Sequence, residues 1–153
     1  MIELLIVVAI IGIVVAISIV NMINAIERAR QRRSMADMRS IATAVETYGA
    51  DNNRFPPSAA FTLPSGLALP SINIDFAGNY LAPTYIKVVP QVDGWNGSFL
   101  YSVTAEGMDF GIRSYGKDRL PQETPSYGPT TDFNADIIMV DGVFVQWPAG
   151  VQQ

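Results

Sequence analysis

Three aspartates toward the carboxyl-terminal end of the chain are the residues whose types and spacing most suggest a binding site. Asp118, Asp132 and Asp136 flank a loop rich in Pro, Ser and Thr. Hard carboxylate oxygens, brought together with backbone carbonyls, suit Ca²⁺. The spacing does not follow the EF-hand pattern, and solvated loops commonly carry acids. The residues therefore leave two interpretations open, a calcium loop and a solvated acidic loop.

Glu3 is the second residue with chemical interest, because it is the single charged residue in an apolar run over residues 2–20. A carboxylate inside a bilayer is costly unless it is neutralised, paired or close to the interface. One interpretation places Glu3 at headgroup depth, facing the positive end of the helix dipole. The other pairs Glu3 with a positive group on a second copy of the chain.

The composition excludes several kinds of chemistry. The chain contains no His and no Cys, which removes the usual imidazole base, thiol nucleophiles and disulfides. It contains no G-x-S-x-G, phosphate-loop or H-E-x-x-H motif. Residues 51–153 hold five Lys or Arg against ten acids, which argues against a nucleic-acid surface. We expect neither an enzyme nor a nucleic-acid-binding protein.

The apolar run must belong to a long helix. Residues 2–20 as a helix span about 26 to 28 Å, enough for a hydrocarbon core. No Pro interrupts the helical pattern that continues to about Tyr48, and turn-forming residues at 51–53 predict its end. A cleaved secretory signal is the main alternative, but the pattern runs straight past any cleavage site. We predict a retained membrane anchor that continues as a stalk.

The polar half of the stalk carries apolar residues at spacings of three and four. After Met35 we expect the head to cover this stripe, whereas before Met35 we expect no other segment of the chain to reach it. Four arginines, Arg28, Arg30, Arg32 and Arg33, lie between the two parts. They predict either a solvated ring with headgroup contacts or pairing with acidic heads of adjacent subunits.

The predicted fold class is α+β, with a long N-terminal helix packed on a small antiparallel β-sheet. We assign residues 1–50 to the helix and 51–153 to a head, divided into a loop region (51–97) and a sheet with the calcium-type loop (98–153). Residues 54–84 are predicted as a long loop with a short helical turn at 66–69. Two hairpins are predicted, 98–104 with 108–113 and 137–140 with 143–147, the latter across Asp141-Gly142. The fifteen aromatic residues, all at Tyr48 or beyond, are expected to build the core.

The N-terminal sequence resembles that of type IV pilins and type II secretion pseudopilins, whose mature chains begin Phe-Thr-Leu-Ile-Glu-Leu. Met1 stands where the family has Leu, so we expect the true start to lie upstream, with a basic leader that ends in Gly, followed by Phe-Thr. The residues that follow the family's order are Ile2, Glu3, Leu4, Leu5, Ile6, Val7, Val8, Ala9, Ile10, Ile11, Gly12 and Ile13.

The head narrows the resemblance to the major pseudopilin of type II secretion. That family carries Asp-Asn-x-x-Tyr-Pro, Asp-Pro-Trp-Gly-x-Pro-Tyr-x-Tyr, Asp-Phe…Ser-x-Gly-x-Asp and Ala-Asp-Ile. The first motif has Phe for Tyr here, and the second lacks both prolines. The matching residues are Asp51, Asn52, Phe55, Pro56, Asp93, Trp95, Tyr101, Asp109, Phe110, Ser114, Gly116, Asp118, Ala135, Asp136 and Ile137.

The resemblance implies a pilin fold and a role for each candidate residue. Glu3 would neutralise the freed amino terminus of a neighbouring subunit during filament assembly. Calcium would bind Asp118 and Asp136 with the carbonyl of Tyr115, and Asp132 could replace Asp136. It also implies N-terminal methylation and three partners: a prepilin peptidase, an assembly ATPase and a platform protein.

The resemblance thus predicts a structural subunit of a helical homopolymer. It implies an inner-membrane, single-pass protein with a periplasmic head, extracted into a periplasmic pseudopilus or an extracellular pilus. A major pseudopilin of type II secretion is the first hypothesis, and a surface pilin for motility or adhesion is the alternative. A membrane-tethered, monomeric binding module is the distant alternative.

Overall fold

The computed structural model describes residues 2–58 and 72–150, and its main element is one continuous helix. Helix α1 runs from Ile2 to Asn52, 51 residues without a break, which corresponds to about 75 Å. Asn53 has a φ of 57°, the left-handed conformation that commonly follows a helix end. The predicted continuous helix and its stop at residues 51–53 are confirmed.

The head contains six strands and one short helix. The elements are β1 (Ile72–Asn73), α2 (Asp75–Leu81), β2 (Leu100–Val103), β3 (Phe110–Ser114), β4 (Gly128–Thr130), β5 (Ile137–Val140) and β6 (Val143–Pro148). The strands form a single sheet in the order β1-β2-β3-β5-β6-β4, antiparallel except for the parallel pair β4 and β6. This arrangement confirms the predicted α+β fold class.

Both predicted hairpins are present. Strands β2 and β3 pair around a turn in which Gly107 has a φ of 73°. Strands β5 and β6 pair around Asp141 and Gly142, whose φ values of 46° and 75° fit the two left-handed positions of a type I′ turn. The Asp-Gly dipeptide therefore forms the tight turn that its residue types predict.

The prediction of one long loop over residues 54–84 was wrong at its C-terminal end. Strand β1 and helix α2 lie within that range, and β4 lies in the Pro-rich loop that follows β3. Segments of two, seven and three residues are too short to show a helical or strand periodicity, and their pairing depends on distant strands. The helical turn predicted at 66–69 falls outside the described residues.

The core lies between one face of α1 and one face of the sheet. Alternate residues of the central strands point toward the helix, as the pleat of a strand requires. Aromatic side chains fill much of this space, as predicted, although Phe76, Tyr80 and Tyr127 are exposed. The central core residues are Met35, Met38, Ile41, Val45, Tyr101, Val103, Phe110, Ile112, Ile137, Met139 and Phe144.

The head reaches further down the helix than the sequence predicts. Glu27, Gln31 and Ser34 are buried, so the covered part of the helix begins about two turns before Met35. Contact is close because Gly94 lies directly on the helix backbone, where its N–H donates to Ser34 Oγ at 2.9 Å. The expectation that no segment of the chain covers α1 before Met35 was therefore wrong. A side-chain-free residue allowed an approach that the apolar pattern does not reveal.

We predict that Gly94→Ala destabilises the head. A Cβ at this position would lie 2.8 Å from the Arg30 carbonyl carbon, so the loop would have to move away from α1. The expected loss in free energy of unfolding is about 1 to 3 kcal/mol. Urea unfolding of the full-length chain in detergent, followed by near-ultraviolet circular dichroism, measures it.

Gly78→Ala is the matched control. A Cβ at Gly78 meets only Val89 at 3.8 Å, within α2, so this substitution should be neutral or slightly stabilising. Equal stability of the two variants would contradict the close contact at Gly94.

Candidate functional site

The first candidate surface is the part of α1 that the head leaves uncovered. Its large apolar side chains are 42% to 74% exposed, from Ile26 to Ile2. The most apolar 18-residue window of the helix has a mean hydropathy of 3.0, and none of it is buried against the described chain. A solvent-exposed apolar rod of this length requires lipid or other proteins around it. Glu3 lies in its first turn and is exposed.

The second feature is the junction between helix and head, which centres on the buried carboxylate of Glu27. Trp95 Nε1 donates to Glu27 Oε2 at 2.5 Å. Arg30 Nη1 and Lys117 Nζ lie 3.4 and 3.7 Å from Glu27 Oε1. The buried charge is thus compensated by one hydrogen bond and two cations, from both the helix and the head. This cluster fixes the head at one height on the helix.

Asp93 organises the loop that carries Trp95. Asp93 Oδ1 accepts hydrogen bonds from the N–H groups of Trp95 and Gly97 at 2.9 and 2.8 Å. Asp93 Oδ2 accepts from Ser114 Oγ at 2.6 Å, which ties the loop to β3. The Asp and Trp of this sequence motif therefore have a structural role, which is to dock the head on the stalk.

Tyr101, the last residue of the same motif, joins the core to the segment after the helix. Its hydroxyl donates to the Pro56 carbonyl at 3.0 Å. Burial raises the pKa of Tyr101 well above its usual value, and the neighbouring Tyr48 adds to this effect. The phenol therefore remains a neutral donor.

The third feature is the loop between β3 and β5, which packs through Gln122 and Ser126 on polar side chains of the sheet. Arg113 of β3 and Asp136 form a buried ion pair, with Nε donating to Asp136 Oδ2 at 2.7 Å. The Gln122 N–H donates to the same oxygen at 3.1 Å. Burial raises the pKa of the Asp136 carboxyl, while Arg113 opposes that rise. The predicted ligand Asp136 is thus already bound to a cation of its own chain.

A network of polar side chains holds this loop down. Arg113 donates to the Gln122 carbonyl at 2.8 Å, and Gln146 of β6 donates to Gln122 Oε1 at 2.8 Å. Gln146 Oε1 accepts from the Ser126 N–H, also at 2.8 Å. The outer face of the sheet is therefore covered by hydrogen bonds to long polar residues as well as by apolar packing. Buried polar groups of this kind hold the loop only while each keeps its partner.

The other candidate calcium ligands occupy different positions. Asp118 is exposed, accepts from the Leu120 N–H at 3.0 Å, and lies close enough to Asp136 for its charge to add to the rise in pKa. Asp132 is exposed and accepts from the Asn134 N–H at 2.9 Å. The Tyr115 ring lies against the Arg113 guanidinium, 4.9 Å from its carbon to the ring centroid.

Part of this arrangement suits a hard cation. Asp136 Oδ1 is buried and has no hydrogen-bond partner. The carbonyl oxygens of Phe133, Asn134 and Ala135 crowd around Gly116, within 3.1 Å of the position that a Cβ would occupy. Within residues 2–58 and 72–150, however, no group of three acidic side chains lies together. Carboxylate and carbonyl oxygens fit Ca²⁺, and the adjacent Arg113 guanidinium opposes it.

Sequence reasoning missed three residues that hold the head together: Glu27, Arg113 and Gln146. Glu27 continues the head-facing stripe of α1 at helical spacing, so a polar residue there was a usable signal. Arg113 sits in the middle of a strand pattern, where a charge must find a partner if the sheet face is covered. Gln146 gave no signal, because a glutamine in a strand is common on open faces.

We predict that Trp95→Phe weakens docking of the head on α1. Phenylalanine fills most of the space but cannot donate to Glu27, so the buried carboxylate loses one partner. The expected loss is about 1 to 3 kcal/mol in free energy of unfolding. Urea unfolding monitored by near-ultraviolet circular dichroism measures it, with Trp147→Phe as the control. A loss for Trp147→Phe as large as that for Trp95→Phe would contradict the role of the Glu27 bond.

Comparison with known proteins gives a consistent family. The family model described as type II secretion system (T2SS), protein G matches residues 21–137. A type II secretion system core protein G of Pectobacterium carotovorum is 27% identical over 121 residues, covering 79% of this chain and 76% of that protein. The protein of the same name from Klebsiella pneumoniae is 25% identical over 131 residues, covering 86% and 91%. That from Escherichia coli K12 is 25% identical over 120 residues, covering 77% and 79%.

The family match, the long apolar helix and the small sheet agree with one another. Because the family model covers well over half of the chain, the chain belongs to the protein G family of the type II secretion system and is a pseudopilin subunit of that system.

Proposed function

We propose that α1 crosses the inner membrane once, with the head in the periplasm, and that copies of the chain assemble into a helical pseudopilus. The observation that carries this proposal is the uncovered apolar length of α1, exposed from Ile2 to Ile26. In the bilayer, lipid covers this surface. In a filament, the helices of neighbouring subunits cover it instead, which makes assembly favourable once the helix leaves the membrane. Growth of such a filament would push exported proteins outward.

Glu3 is proposed to set the register of assembly by pairing with the amino terminus of a neighbouring subunit. The work of extraction comes from a separate assembly ATPase acting through a platform protein, because the chain contains no phosphate-loop motif. A prepilin peptidase would generate the free amino terminus, which is the site of methylation. The N-terminal sequence resembles surface pilins as much as pseudopilins. Membership of the secretion family favours a pseudopilus over a surface pilus.

The head is proposed to act structurally, without catalysis. The buried acids of the chain stabilise its own fold. Asp93 shapes a loop, Glu27 of α1 accepts a hydrogen bond from the head, and Asp136 holds a loop on the sheet. Asp93 accepts from the Ser114 hydroxyl, a possible nucleophile, but both side chains are buried and out of reach of a substrate.

We predict that Glu3→Ala reduces filament assembly about tenfold or more, because the partner's amino terminus would remain an uncompensated charge among apolar helices. The measurement is filament yield by electron microscopy, from cells that express the chain with its assembly machinery. Membrane-fraction abundance reports whether the variant is inserted.

Glu106→Ala is the matched control, since Glu106 is an exposed acid in the turn between β2 and β3. Filament yield should be unchanged in this variant. Normal filaments from Glu3→Ala would overturn the assembly role, and filaments absent even from the unchanged chain would count against a filament subunit.

We also propose that the loop after β3 binds calcium. Asp118 and the free oxygen Asp136 Oδ1 would be its carboxylate ligands, with the Tyr115 carbonyl as a further ligand and Asp132 as a substitute acid. The unpartnered, buried Asp136 Oδ1 supports the proposal, since a buried carboxylate oxygen without a donor is costly. Calcium would stabilise the head by binding only the folded loop.

We predict that chelation lowers the Tm of the head. Calcium at about 100 times its Kd stabilises by about 2.7 kcal/mol, so removing it should lower Tm by about 10 to 20 °C. Differential scanning fluorimetry with and without a calcium chelator measures this change. Asp118→Asn should abolish the response, whereas Asp132→Asn should retain it if Asp136 is the second acid. A chelator-independent Tm would exclude calcium and leave Arg113 as the cation that closes the loop.

A further inference from the structure

A basic pocket lies at the membrane-proximal end of the head, although the chain as a whole carries a net charge of −4. Arg30 of α1, together with Lys117, Arg119 and Asn96 of the head, lines a cavity of about 450 Å³ beside Gly94 and Trp95. Glu27, with a side chain 8% exposed, is the acid that Arg30 and Lys117 contact. The residues that line the cavity carry three cations and no acid, and the nearby acids Glu27 and Asp93 are buried.

The pocket holds its cations in place. Arg119 donates to the Trp95 carbonyl, and its backbone has a φ of 58°, which is uncommon for a residue with a Cβ. Lys117 and Arg30 contact Glu27 while their side chains remain 47% and 46% exposed. Their charged ends are therefore both positioned and available to an anion.

The height of the pocket on α1 indicates which anion it meets. With α1 inserted in the membrane as proposed above, the exposed apolar side chains that continue to Ile26 put the edge of the hydrocarbon between Val20 and Ile26. Arg30 lies about 6 Å beyond Ile26 and about 15 Å beyond Val20 along the helix axis. The headgroup layer on each side of a bilayer is about 5 to 8 Å thick, and long basic side chains extend toward it.

A second cavity flanks the helix on its other side at the same level. Arg28 and Arg32 line it together with Asn24, Thr130 and Thr131, and its volume is about 370 Å³. Basic groups thus surround the stalk where it meets the head. This agrees with an anionic layer around the helix, whereas a single acidic contact from a neighbouring subunit would require a basic group on one side alone.

We propose that the pocket formed by Arg30, Lys117 and Arg119 binds the phosphate of an anionic glycerophospholipid. It holds the head against the membrane before the subunit is extracted. The proposal rests on the membrane insertion of α1 proposed above and adds a lipid class and a site. Release of this headgroup would then accompany the entry of the subunit into the filament.

The test uses the full-length chain in non-ionic detergent, with Trp147→Phe as background so that Trp95, which lines the pocket, is the single tryptophan. Short-chain phosphatidylglycerol is titrated while the fluorescence of Trp95 is followed, and short-chain phosphatidylcholine is titrated in parallel. We expect saturable binding of phosphatidylglycerol only. Lys117→Gln with Arg119→Gln should weaken it about fivefold for each charge removed, about 25-fold in all.

The matched control is Arg54→Gln with Lys87→Gln, which removes the same net charge from exposed positions at the other end of the head. Arg54 follows the end of α1, and Lys87 follows Tyr85, whose hydroxyl accepts from Asn52. Binding should be unchanged in this variant. Lys117→Arg with Arg119→Lys keeps both charges and should retain most of the affinity, which separates loss of charge from loss of folding.

Several results would overturn the proposal. Equal effects of the two Gln pairs would mean that overall charge alone attracts the lipid. Equal binding of inorganic phosphate would make the pocket a site for free phosphate. Normal phosphatidylglycerol binding with loss of filaments in the Lys117 and Arg119 variant would assign the pocket to an acidic residue of a neighbouring copy. Flotation with phosphatidylcholine vesicles tests membrane insertion separately. A chain that does not float would contradict the proposed membrane anchoring. A chain that floats but shows no lipid preference in the titration would contradict only this inference.

Discussion

The structure depends on one constraint, which is that a single unbroken helix must be covered along its whole apolar length. From Glu27 onward the head supplies this cover, through the core between α1 and the sheet. Before Glu27 no part of the described chain does so. A free monomer in water would expose this surface, and the hydrophobic effect opposes such exposure. The N-terminal half of α1 therefore needs lipid or other proteins to cover its apolar surface, whereas the head covers the C-terminal half.

Buried charges fix the position of the head on this helix. Where the head begins along α1, Glu27 accepts a hydrogen bond from Trp95 and contacts two cations. On the far face of the sheet, Arg113 pairs with Asp136. A buried charge is tolerated only with its partners in place, so each cluster favours one arrangement. The head is thus held at a defined height, which a subunit needs if its neighbours are to stack at a regular rise.

The sequence by itself determined the elements whose physical signals are local. The apolar run without Pro predicted the long helix, and Asp141-Gly142 predicted a hairpin because both residues tolerate left-handed conformations. Turn residues containing Gly, between two short runs in each case, predicted the hairpins that form the central strands. The N-terminal and head motifs also indicated the family, which the comparisons confirm.

Only the tertiary structure decided how far the head extends and what its charged residues do. The contact of Gly94 with α1 joins residues 60 positions apart. The three-residue β4 is a strand only through its pairing with β6. The residue type of Asp136 makes it a candidate metal ligand, and only the fold shows that Arg113 holds one of its oxygens while the other has no donor. Residue types and spacing specify what a side chain is able to bind, whereas its actual partner depends on which distant segment the fold brings beside it.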